Sequence, residues 1–319
     1  MNKPVDSWQG RPITVECSGV TVTRLGASLG AEISGVDPRQ RLSDEAFNVI
    51  ENALVEHELV IFRNQEITSD NLIDFGRRFG ELTVHPFAPH DEKASVLIKF
   101  RNDENNPPFA TDVWHSDETF RSEPPMATIL CAKLVPAIGG DTMFASMSAA
   151  FDGLSGRMQQ FISGLEAIHD WKPFKRLFDN TEEDRKNRQH FELLFPPQRH
   201  PVVRVHPVSG RKVLFVNPQF TIAIKDMDER EGRSLLDTLS PGTHSRISVP
   251  ASLGAAHHCH VGQQVDPALC RERLLSSATV YGARNYSRWA GYWRQACRSR
   301  RRSQGEEPCT RQCRALRGA

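Results

Sequence analysis

No stretch of this 319-residue chain approaches the roughly 18 consecutive apolar residues that a membrane-spanning helix requires. Nor do Met1 to Arg11 hold the apolar core of a secretory signal. The expectation is a soluble, cytoplasmic protein with no membrane partner. No internal repeat stands out, which sets aside repeat architectures. Cysteine is scarce before Pro241, where only Cys17 and Cys131 occur, and lysine is absent from Pro241 to Ala319. Those two shortages mark a change of composition within one chain.

What is present is ordinary for a folded protein. Hydrophobic residues make up 39% and charged residues 25%, so one large domain or two small ones could bury a sizeable core. The formal net charge of +1 conceals a segregation along the chain. Pro241 to Ala319 carries 13 Arg and 4 acidic residues, against 27 basic and 35 acidic residues before it, a net of −8 for the body. Five of the seven cysteines, Cys259, Cys270, Cys297, Cys309 and Cys313, also fall in that tail. Such a tail could be read as a nucleic-acid arm or a cysteine-rich metal or disulfide module.

The body reads as alternating strands and helices. Ile13 to Thr23 alternates with β-branched residues, and Gly26, Gly30 and Gly35 punctuate the turns after it. Ser43 is placed to cap a helix with Phe47, Ile50 and Leu54 at helical spacing, followed by a short buried strand, Leu59 to Phe62. Thr68 is placed to cap a second helix, with Leu72, Phe75 and Phe79 inward and Gly80 closing it. His85 to Val113, rich in Pro, Asn and Asp, reads as a long loop. Ala127 to Leu134 reads as an apolar strand, Gly139-Gly140 as a turn and Leu154 to Leu165 as a helix entered at Ser155. Val202 to Val205 and Val213 to Val216 form a hairpin around Pro207 to Gly210. The pattern predicts a mainly β fold with helices, a sandwich or jelly roll.

One short motif carries chemistry. If Trp114-His115-Ser116-Asp117 is extended, His115 and Asp117 project to the same side and present an imidazole nitrogen beside a carboxylate oxygen. A two-His-one-carboxylate site for non-haem Fe(II) needs one further His and leaves positions open for cosubstrate and dioxygen. Alone, the pair is weak evidence, since most surface His and Asp are merely solvated.

The wider pattern resembles a known family. Trp114-His115-Ser116-Asp117-Glu118-Thr119-Phe120, Pro124-Pro125, Gly139-Gly140-Asp141-Thr142, His200-Pro201-Val202-Val203 and Ser209-Gly210-Arg211-Lys212 occur in order. Over roughly Val20 to Leu239 the chain is similar to Fe(II)/2-oxoglutarate dioxygenases of the taurine dioxygenase and 2,4-D dioxygenase type. The resemblance implies a double-stranded β-helix (jelly roll) core and an oxygenase using Fe(II), 2-oxoglutarate and O2. It implies His115 and Asp117 as metal ligands and Thr142 as the hydroxyl on the distal carboxylate of 2-oxoglutarate. His85, Thr111 and Phe220 match substrate-pocket positions. Taurine dioxygenases carry Tyr where Ala88 stands and Asn where Thr111 stands. Losing both polar groups favours a bulkier or more apolar organic anion: a sulfonate, sulfate ester or aryloxy-carboxylate rather than taurine. A homo-oligomer without a nucleic-acid partner is expected.

The family also requires, beyond Phe220, a distal His within W-D-N-R-x-x-x-H and two Arg that bind anionic groups. The printed tail has none of these at the right spacing, and the cluster His257, His258, Cys259 and His260 matches no such pattern. Joining the last two bases of each codon to the first of the next changes the picture. From His260 to Val265 the codons permit M-W-D-N-R, and from there to Arg271 they permit S-T-Q-H-Y-A. Ser252 to His260 permits R-W-E-P-H-T-I-A, and Ala278 through Gly291 permits R-R-Y-M-E-R-V-T-I-A-G. The hidden His spans Ala268 and Leu269. The hidden Arg pair ends across Thr279 and Val280, with another Arg across Ala283 and Arg284. The expectation is an incomplete dioxygenase domain at 1–239 and an anomalous, out-of-frame tail at 240–319. A one-base error near Leu239 to Arg246 would leave the C-terminal part of the jelly roll disrupted and the enzyme, as printed, inactive. It would also account for the Arg and Cys excess without a nucleic-acid or metal role.

Overall fold

A computed structural model describes residues 14–84, 96–102, 113–134, 142–171, 175, 181–240, 248–251, 259–262 and 273–281. For 99–102 and the three stretches beyond 240 the description is of backbone and strand pairing alone. All of these residues belong to one structural unit, Met1–Ala283.

The chain opens with β1 (Thr14–Cys17), β2 (Val20–Arg24) and β3 (Ala31–Ser34), an antiparallel meander. Val20 and Val22 alternate inward on β2. The return from β3 needs glycine at Gly35: φ is +81°, and a Cβ there would lie 2.2 Å from the Gly19 carbonyl oxygen. In α1 (Asp44–His57) the Ser43 hydroxyl accepts from the Ala46 N–H at 3.2 Å, and the helix stops where Glu58 turns left-handed at φ 63°. The strand β4 (Leu59–Phe62) is buried along its whole length. In α2 (Ser69–Phe79) Thr68 and Asn71 form a reciprocal capping box, and Leu72, Phe75 and Phe79 face the core.

Next come β5 (Glu81–Leu82), β6 (Leu97–Asn102), β7 (Ala127–Leu134) and β8 (Thr142–Ala145). The helices α3 (Met147–Asp152) and α4 (Gly156–Ile162) lead to β9 (Glu166–His169), α5 (Glu182–Leu194), β10 (Gln198–Pro201), β11 (Val203–Val205), β12 (Lys212–Leu214) and β13 (Thr221–Ile224). The helix α6 (Glu229–Leu239) precedes β14 (Ser248–Ala251), β15 (Cys259–Gly262) and β16 (Arg273–Tyr281).

Nine strands make the main sheet, in the order β1-β2-β3-β4-β15-β7-β16-β5, with β6 also paired to β16. Only β3 and β4 run parallel among these pairs. Three smaller sheets, β10-β9-β13, β11-β12 and β14-β8, complete the described strands. One core packs α1 and α2 on the sheet, where Phe47, Phe62, Phe75 and Phe79 meet edge to face at 4.8 to 6.4 Å. Burying each such ring contributes about 2–3 kcal/mol, so these rings anchor the N-terminal half. A second core gathers Phe151, Ile162, Val202, Leu214 and Leu239 around β9, β11 and β12.

One sequence expectation needs correcting. His115 and Asp117 do not sit on a paired strand: residues 114–116 are irregular and 117–120 form a turn, in which Glu118 adopts φ 50°. A left-handed residue directly after Asp117 breaks strand geometry there. The region beyond Leu239 contributes three paired strands: β14 on β8, β15 between β4 and β7, and β16 on β5, β6 and β7. Smaller differences are that β6 lies inside the expected loop and that the helix expected to Leu165 ends at Ile162. The Gly139-Gly140 turn lies outside the described residues. No helix among the described residues is long and apolar enough to cross a membrane.

Candidate metal centre

His115 and Asp117 meet as the spacing predicts, although the backbone between them is not a strand. His115 Nε2 lies 3.5 Å from Asp117 Oδ1, with the two side chains 14% and 27% exposed. Two donors on neighbouring corners of a metal's coordination sphere, with bonds of about 2.1 Å, are separated by ~3 Å. The pair is therefore spaced to share one ion.

Each ligand is also held by its far atom. His115 Nδ1 is 2.9 Å from the Val113 carbonyl, which can only accept, so Nδ1 donates and Nε2 is the nitrogen left toward Asp117. Asp117 Oδ2 accepts a hydrogen bond from the Thr128 hydroxyl at 2.5 Å, leaving Oδ1 toward His115. An imidazole nitrogen and a carboxylate oxygen suit a divalent first-row metal such as Fe(II). Among the described residues there is no group of three or more His, Cys, Asp or Glu side chains able to hold a metal. The donor set fits Fe(II) as part of a site.

The turn carrying Asp117 is clamped from behind. The Thr119 hydroxyl lies 3.0 Å from His169 Nδ1 and accepts from Asn217 Nδ2 at 3.2 Å, tying the turn to β9 and to the segment before β13. His169 is fully buried, and burial, followed by the neighbouring His200, pushes its pKa down to about 3. It is neutral at ordinary pH and serves as a hydrogen-bonding strut. His200 Nε2 donates to the Arg121 carbonyl at 2.9 Å. Burial raises Glu118 to about 7 against the opposing pull of Arg121, with which it forms an ion pair. Arg121 also donates from Nη2 to the Val84 carbonyl at 2.9 Å, joining the metal turn to the residue just before His85.

Ser116, Asp117, Thr119, Met126, Thr128 and Ala145 face a cleft with about 590 Å³ of free space, part of it open to solvent. Glu58 lines its far wall and pairs with Arg211 at 2.8 Å. Thr142 is buried at the start of β8, opposite Ala251 of β14, and is not among the described residues lining that cleft. Phe220 is buried against Phe120, ring centroids 5.3 Å apart, in a cluster with Trp171 that borders the metal turn. His85, Thr111, His257 and His258 lie outside the described residues, and of His260 only its place on β15 is described. Sequence reasoning missed Thr128, Thr119, His169 and Asn217. A hydroxyl among the otherwise apolar first six residues of β7 was the available signal for Thr128.

The model of the taurine catabolism dioxygenase TauD, TfdA family matches residues 21–241. The chain is 32% identical over 230 residues to the alpha-ketoglutarate-dependent sulfonate dioxygenase of Saccharomyces cerevisiae, covering 68% of this chain and 54% of that protein. It is 32% identical over 195 residues to the alpha-ketoglutarate-dependent sulfate ester dioxygenase of Pseudomonas putida, covering 60% of this chain and 64% of that protein. The chain thus spans between half and two thirds of the length of these relatives. Among solved structures, a taurine dioxygenase from Burkholderia xenovorans is similar with a TM-score of 0.68 at 27% identity, over 83% of this chain and 92% of that one.

Proposed function

This chain belongs to the taurine catabolism dioxygenase TauD, TfdA family, and from that premise we propose that it is a 2-oxoglutarate-dependent oxygenase that hydroxylates an organic anion. The observation that carries the reading is the facing pair His115 Nε2 and Asp117 Oδ1, each fixed by a hydrogen bond to its far atom. Bound Fe(II), with 2-oxoglutarate and O2, supplies the oxidation: 2-oxoglutarate becomes succinate and CO2 while one substrate C–H becomes C–OH. The chain's residues do the positioning. His115 and Asp117 hold the metal, and Thr142 donates to the distal carboxylate of the cosubstrate. His85, Thr111 and Phe220 border the substrate. The apolar wall that Phe220 shares with Phe120 and Trp171 excludes water from that side. A sulfonate, sulfate ester or aryloxy-carboxylate is the substrate class, the first two supported by what the yeast and Pseudomonas relatives are named for. The core is a double-stranded β-helix, supported by the similarity to the Burkholderia structure.

The third ligand belongs to the shifted reading frame. The family match stops at residue 241, inside the interval where the frame break was expected. The body, 1–239, is then the family domain, and 240–319 is its continuation read one base out of phase. The alternative is that the chain as printed is a non-catalytic member of the family, because the distal His and the 2-oxoglutarate-binding Arg are absent from the printed tail. Succinate release from 2-oxoglutarate, Fe(II) and a panel of the three anion classes tests both. The frame-restored chain should release succinate with substrate, its Asp117→Ala variant should lose at least about 100-fold in rate, and the printed chain should be silent. A restored chain that converts no 2-oxoglutarate sinks the proposal, and strong preference for taurine sinks the pocket reading.

A further inference from the structure

Resting on that assignment of Asp117 as a ligand, we infer that Thr128 is a positioning residue that decides which carboxylate oxygen Asp117 offers to the metal. A carboxylate turns broadly about its last torsion, so Asp117 alone does not fix whether it binds through one oxygen or two. Thr128 does fix it. Its residue is 6% exposed, the second of β7, and β7 is paired on both sides, Thr128 facing Gly262 of β15 and Thr279 of β16. The backbone there has little freedom, and β-branching narrows the hydroxyl's directions further. At 2.5 Å from Asp117 Oδ2 the hydroxyl donates to an acceptor-only group.

With Oδ2 so engaged, Oδ1 is the oxygen left beside His115 Nε2 at 3.5 Å. Binding through one oxygen keeps a coordination position open that a two-oxygen carboxylate would fill. Both His115 and Asp117 then have a hydrogen-bonding partner behind them, the Val113 carbonyl and the Thr128 hydroxyl, the arrangement by which surrounding residues tune a metal site.

The test is titration of the metal-free, frame-restored full chain with Co(II), followed by calorimetry and by the visible Co(II) absorption. Thr128→Val keeps the shape and the β-branch but removes the donor. It should weaken Co(II) binding at least about 10-fold and alter the absorption bands, while Thr128→Ser restores both. Circular dichroism should show the same fold for all three chains. Should the valine variant fail to fold, Thr128→Ala is compared with Thr128→Ser in its place. Asp117→Ala separates the two claims. If it leaves Co(II) affinity unchanged, the ligand assignment falls and this inference with it. If it weakens binding while Thr128→Val binds and absorbs as the unaltered chain does, the role of Thr128 alone is overturned.

Discussion

Glu51 sits on the buried face of α1, and its Oε1 has no hydrogen-bond partner among the described residues. Burial raises its pKa to about 8 despite the opposing charge of Arg78. In the unfolded chain it titrates near the ordinary carboxyl value of 4.5, so the folded state prefers the neutral acid. Stability is therefore unaffected below about pH 4.5, declines as pH rises toward 8 and levels off beyond it. Glu51→Gln, neutral at every pH, should have a small effect at pH 5 and be stabilising by up to about 4 kcal/mol at pH 8. Urea unfolding at the two pH values measures this, and an equal effect at both would contradict it. The same desolvation acts on His169, where it favours a neutral ring able to hold Thr119 behind the metal turn.

At the scale of elements, end signals decide most of what the sequence makes legible. Thr68 both receives the Asn71 N–H at 3.2 Å and gives its own N–H to the Asn71 side chain, so it starts α2, whose Leu72, Phe75 and Phe79 join the larger core. Thr68→Ala should cost about 1 kcal/mol and Thr68→Ser much less, read by thermal or urea unfolding. An alanine variant as stable as the serine one would show that packing alone sets the helix start. Ser43, Thr68, Ser155 and Gly80 were all readable as caps, and β4, β7 and the β11–β12 hairpin as apolar or alternating runs. By contrast α5 was not read, because it buries no residue and so shows no apolar face, although Thr181 and Asp184 cap it. The site divides in the same way. His115 and Asp117 are visible as a local motif, whereas the contacts of Thr119 to His169 and Asn217 span 50 and 98 residues and have no local signature.

For the whole molecule, the main sheet and the printed tail are at odds. The strand β15 lies between β4, all four residues of which are buried, and β7, whose first six are. A strand paired on both sides in such surroundings should be rich in apolar and β-branched residues. Printed there is Cys259-His260-Val261-Gly262, with a glycine and a histidine in the centre of the sheet. Read one base out of phase, the same codons permit Ala-Met-Trp, which fit that position far better, and then run on into D-N-R and the hidden His. The backbone pairs β14, β15 and β16 into these sheets, and the family match ends at residue 241. Tryptic digestion of the protein purified from its natural source, followed by tandem mass spectrometry, decides between the frames. The shifted frame should yield a peptide containing Ser-Thr-Gln-His-Tyr-Ala. In the printed frame trypsin cuts after Arg246 and next after Arg271, so recovery of Ile247 to Arg271 as printed would overturn the frame assignment and, with it, the source of the third metal ligand.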